Sequence, residues 1–121
     1  MTNELTPEIR ERMAALLNRY RQTLLERVTQ AEAAWQKVDA QQQPQESLLE
    51  LVRLIHGLSG SGTLYGYAKL SQESRDLELL LRPLVETQTL PDTPLRQRIQ
   101  DAMARVKLAS AAPDAPTSFD A

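Results

Sequence analysis

Apolar residues recur at steps of three or four from Ile9 through Met13, Leu16, Leu17, Tyr20, Leu24, Val28, Ala31 and Trp35 to Val38. Such a stripe predicts one long amphipathic helix over residues 7–38. Thr6 is placed to cap it, and Pro7 sits at the first helical position, where its missing N–H costs nothing. The period is lost in DAQQQPQ, residues 39–45, which reads as a loop. Ser47-Leu-Leu-Glu50 then has the form of a capping box and predicts a second helix over 46–65, with Gly66 supplying the left-handed residue that ends it. Leu70, Leu77, Leu81 and Leu84 form the inner stripe of a third helix over 68–88, in which Pro83 is expected to cause a kink rather than an end. The turn TLPDTP, with Asp92 or Thr93 as cap, opens a fourth helix over 94–109 bearing Leu95, Ile99, Ala102, Met103 and Val106. The expected fold is therefore an all-α, antiparallel up-down four-helix bundle over residues 1–109. The Ala- and Pro-rich remainder, 110–121, reads as a flexible tail or the start of an interdomain linker.

Composition narrows the chemistry. Of the 121 residues only one Trp, three Tyr and one Phe are aromatic, a helix-favouring balance with no strand candidate. A net charge of −2 removes the electrostatic attraction on which nucleic-acid binding depends, and the arginines of the first helix, Arg10, Arg12, Arg19, Arg21 and Arg27, are interspersed with Glu11 and Glu26 as on a solvated face. With no cysteine and one histidine, neither a thiolate nucleophile nor a cysteine zinc site can be built, and a di-metal bundle lacks its Glu-x-x-His pairs, since position 53 is Arg. No signal pattern opens the chain and no apolar run reaches the length of a membrane span. A cytoplasmic monomer with no cofactor of its own, binding neither nucleic acid nor membrane, is the expectation.

That single histidine, His56, lies on the second helix. At about 100° per residue, Leu51, Leu54, Leu58 and Tyr65 fall near the opposite pole, so His56 faces away from the core. Close to its meridian lie Leu49, Val52, Arg53, Ser59, Gly60 and Thr63. All four glycines follow it, Gly57, Gly60, Gly62 and Gly66, and those inside a helix cost about 1 kcal/mol each relative to Ala. Gly60, one turn beyond on the same face, would let a partner approach the imidazole, whereas Gly62 falls on the inner side and suits tight packing. A helix ending early, near Gly60, is the competing reading.

An exposed imidazole titrating near neutrality, without a second nucleophile, can attack a phosphoryl group through a ring nitrogen. HGLSGSGTLYGYAKLSQESRDLE, from His56 to Glu78, resembles the signature of histidine phosphotransfer (HPt) domains, and is similar to the phosphoryl-accepting domain of chemotaxis histidine kinases. In that signature a phosphorylatable His is followed by Leu or Ile, a Lys-Gly pair, small residues, a further Gly and a distal Leu-Glu. The resemblance implies that His56 accepts and donates the phosphoryl group, that Gly60 admits the partner and that Glu78 hydrogen-bonds the second imidazole nitrogen. It implies as partners a receiver domain or a histidine kinase, and a carrier that is not itself an enzyme. Leu49, Val52, Arg53, Ser59, Gly60 and Thr63 are the expected partner face.

One position departs from the signature: Ser59 stands where the family carries Lys. Arg53, one turn before His56, or less directly Lys69, could supply the missing charge. The departure also supports a rival, an HPt-like adaptor that docks a receiver or kinase without being phosphorylated.

Overall fold

The computed structural model describes residues 6–114. Within that span four helices follow one another: α1 (Pro7–Asp39), α2 (Pro44–Ser61), α3 (Ala68–Thr87) and α4 (Thr93–Ala109), with a 3₁₀ turn over Thr63–Tyr65 between α2 and α3. Each packs on the next and α4 closes back on α1, giving the expected four-helix bundle with no strand among the described residues. The core is aliphatic: Leu24, Leu48, Leu51, Ile55, Leu58, Leu70, Leu77, Leu81 and Ile99 are fully buried, each contributing about 1.5–3 kcal/mol over the exposed state.

Chain punctuation explains most of the boundaries. Thr6 Oγ1 accepts from the Ile9 N–H at 3.2 Å, and Asp92 Oδ1 accepts from the Leu95 N–H at 2.9 Å, so Asp92 rather than Thr93 caps α4. α3 runs through Pro83 to Thr87. Leu79, one turn earlier, and Pro83 both lie on the exposed side, so the Leu79 carbonyl that Pro83 cannot serve faces solvent.

The second helix differs from expectation at both ends. It starts at Pro44, not at the Ser47 box: Gln43 takes a left-handed conformation (φ 45°) and Pro44, with its fixed φ, forms the first helical residue. Ser47 is thereby inside the helix and buried, its hydroxyl donating to the Gln42 carbonyl at 3.4 Å, and only Ala40–Gln43 remain as loop. At the other end the α-helix stops at Ser61, and Gly66 (φ 86°) closes the 3₁₀ turn instead of the helix. Leu64 and Tyr65 continue the spacing without continuing the α-helix, and Leu64 is exposed as a result.

α1 spans 33 residues, about 50 Å, against about 27 Å for the 18 residues of α2. Burial in it begins only at Tyr20, so the upper part of the sequence stripe outruns its partners, and Ile9 and Leu16 are exposed. Tyr20 ties the junction together: its hydroxyl pairs with Ser61 Oγ at 2.9 Å and its ring stacks on Tyr65 at 4.1 Å between centroids.

The expected tail begins as a docked segment. The Asp114 N–H donates to the Gly66 carbonyl at 3.1 Å, and Asp114 Oδ2 accepts from the Lys69 N–H at 2.8 Å. Tyr67, the local N-cap of α3, makes no side-chain capping hydrogen bond, and a carboxylate from the far end of the domain does that work. The rest of the tail, 115–121, and residues 1–5 lie outside the described residues.

Candidate functional site

His56 is presented from the C-terminal half of α2 with its side chain 67% exposed. Behind it, Ile55, Leu51 and Leu58 are wholly buried and fix the rotation of the helix. The ring leans towards α3: Nδ1 lies 3.0 Å from Glu78 Oε1 and 3.2 Å from Oε2. Glu78 neighbours Leu77, whose side chain is in the core, and its own side chain is only 11% exposed. One turn further along α3, Arg82 holds Glu78 Oε2 from the other side through its guanidinium.

Burial alone would raise the Glu78 carboxyl above its ordinary range, but the hydrogen bonds from His56 and Arg82 outweigh it and hold the group below that range. Glu78 is therefore ionised at neutral pH and can only accept. The proton between the two groups consequently resides on Nδ1, so in the neutral ring the lone pair is on Nε2.

The remaining expected positions divide by the side of α2 on which they fall. Gly60 is exposed, and a Cβ built on it meets nothing within 4 Å. Internal packing thus does not require the glycine, in keeping with an outer surface left open beside the imidazole. Gly60→Ala should stabilise the fold by about 0.5–1 kcal/mol, read by chemical denaturation, while Gly60→Leu should fold and yet slow any phosphoryl exchange with a partner at least tenfold. An undiminished exchange rate in Gly60→Leu would refute the close-approach account of this glycine.

Leu49 (39% exposed), Arg53 and Thr63 are on the surface as expected. Val52 is not: at 7% exposed it belongs to the core cluster, because it lies on the flank of α2 that packs against α3. Ser59 is half-buried, and its hydroxyl donates to the His56 carbonyl at 2.9 Å, so it is turned back onto its own helix. Arg53 lines the α1–α2 groove with Arg27, Glu50, Leu54 and Gly57, on the other side of α2 from Glu78. Lys69 is in the first turn of α3, where its N–H meets Asp114.

Gly62 has the inner role its angle implied. A Cβ there would come within 2.5 Å of Ser71 Oγ and 2.8 Å of the Tyr67 carbonyl oxygen. Arg82 was not foreseen. Its spacing of four from Glu78 is the ordinary helical ion-pair spacing and would have signalled the contact.

The sequence pattern of the Hpt domain family matches residues 15–109 of the 121. The chain belongs to the Hpt domain family. Comparisons with curated proteins and with solved structures gave no match. Hpt domains are phosphocarrier modules of phosphorelays that work with kinases and receiver domains, and the four-helix architecture found here is that of the family. No helix of this Hpt domain is, among the described residues, long and apolar enough to cross a membrane. The family match starts within α1, so the first turns of that overhanging helix lie outside it.

Proposed function

We propose that this Hpt domain carries its phosphoryl group on Nε2 of His56 and exchanges it with the aspartate of a receiver domain. The observation that supports the reading is the His56–Glu78 hydrogen bond, which protonates Nδ1 and leaves Nε2 as the available nucleophile of an exposed side chain. In the exchange, the Nε2 lone pair attacks the phosphorus of an aspartyl phosphate. The N–P bond forms, the P–O bond to the aspartate breaks, and the carboxylate leaves with the electron pair. No proton has to move. The phosphorylated ring keeps its Nδ1 proton and so carries a positive charge, which the Glu78 carboxylate faces directly and stabilises.

The partner face in this reading is the exposed side of α2 around His56, with Leu49, Arg53, Gly60 and Thr63 at its rim. Ser59 leaves that rim without the family's ammonium. Ser59→Lys should therefore raise the rate of phosphoryl exchange several-fold at low ionic strength and lose that advantage at high salt, since an exposed charge is screened within about 10 Å at 0.1 M.

Incubation with phosphorylated receiver domains, followed by mass spectrometry under conditions that preserve phosphoramidates, tests the reading. The expected result is one acid-labile phosphoryl group per chain, on the peptide containing His56. Binding of a receiver without any transfer would support the adaptor alternative, to which the absence of Lys at position 59 points.

A further inference from the structure

Among the described residues, Arg82 bonds Glu78 and not His56 itself. The Glu78 side chain is nearly buried and has two oxygens to satisfy. His56 can donate only one proton, from Nδ1. With Arg82 absent, Oε2 would keep no donor apart from the one His56 proton it shares with Oε1, and the side chain could satisfy it by rotating towards solvent and letting His56 go. Arg82, fixed by the four-residue spacing on the same helix, removes that incentive: its guanidinium takes Oε2 and leaves Oε1 directed at Nδ1.

Resting on the reading of His56 as the carrier, we infer that Arg82 is a positioning residue: it clamps Glu78 in the orientation that holds the His56 imidazole in its Nδ1–H tautomer. The clamp also supplies the charge balance of the site. Arg82, Glu78 and a neutral His56 sum to zero, so the carboxylate is shared between two cationic groups once the ring is phosphorylated and becomes positive. Of the cations the signature and its substitutes would offer, none is in this position. Ser59 is uncharged and turned onto α2, Arg53 faces the α1–α2 groove, and Lys69 sits at the start of α3 beside Asp114. The cation bonded to the carboxylate behind the imidazole comes from α3.

Two measurements test the inference on the whole domain. ¹⁵N chemical shifts of the ring, read in unphosphorylated protein, give the tautomer without any partner. Wild type and Arg82→Lys should show the Nδ1–H form, and Arg82→Gln a mixture, with circular dichroism and melting confirming that all three fold. Rates of phosphoryl uptake from a receiver should fall about tenfold in Arg82→Gln, the usual scale for loss of a supporting contact behind a reactive ligand, and recover in Arg82→Lys. In Glu78→Gln the further change Arg82→Gln should have no additional effect, because Arg82 acts through the carboxylate. A wild-type tautomer in Arg82→Gln, or a loss that adds fully to that of Glu78→Gln, would overturn the inference. Absence of uptake by the wild type would instead count against the carrier reading, and the tautomer measurement would still decide the role of Arg82.

Discussion

His56→Ala is expected to take up no phosphoryl group from any kinase or receiver that labels the wild type, while its melting temperature stays within about 3 °C. The loss should be complete because the chain has one histidine and no cysteine, so no neighbouring ring or thiolate can take over. Stability should survive because the side chain is two-thirds exposed and the residues that orient α2 are the leucines and isoleucine behind it. What the substitution removes from the fold is one donor to Glu78, and Arg82 remains to hold that carboxylate. Exposed substitutions with a partner left intact cost well under about 1 kcal/mol. Residual acid-labile label in His56→Ala would place the chemistry elsewhere.

Gly62→Ala should have the opposite signature, a large loss of stability with the imidazole untouched. The added methyl would lie 2.5 Å from Ser71 Oγ, 2.8 Å from the Tyr67 carbonyl and 3.1 Å from the Leu58 carbonyl. Two of these are backbone atoms and cannot rotate away. The third, Ser71 Oγ, is buried and receives the Thr63 N–H at 2.8 Å, so displacing it breaks a bond that anchors the 3₁₀ turn. Overpacking of about 1–3 kcal/mol combined with a lost buried hydrogen bond makes about 3 kcal/mol a fair expectation, or a fall in melting temperature of about 10 °C. The conformation of Gly62 is ordinary helical (φ −56°), so the penalty is purely steric. Calorimetry that finds Gly62→Ala as stable as wild type would mean that α2 and α3 separate more easily than this packing implies.

Local periodicity made the four helices and the outward direction of His56 legible, because burial on a helix repeats with the helical turn and the leucines mark it. The inner position of Gly62 followed from the same angle. Features decided by distant parts of the chain were not legible in this way. Ser47 had the residues of a capping box, yet the fixed φ of Pro44 started the helix a turn earlier and turned Ser47 inward. Val52 lies only about 40° from His56 around the helix, but on the flank covered by α3, and periodicity does not say which flank a neighbour occupies. The capping of α3 by Asp114 joins residues 45 positions apart, and no local pattern announces it. Arg82 is the exception: its spacing from Glu78 was readable, but its importance depended on Glu78 being buried against His56.

The most direct test is nuclear magnetic resonance of the phosphorylated domain carrying ¹⁵N-labelled histidine, where the single histidine makes every ring signal that of His56. A ³¹P coupling to Nε2, with the Nδ1 proton still in place, is the expected result. Phosphorus coupled to Nδ1, or a labelled protein whose imidazole shows no coupling at all, would contradict it.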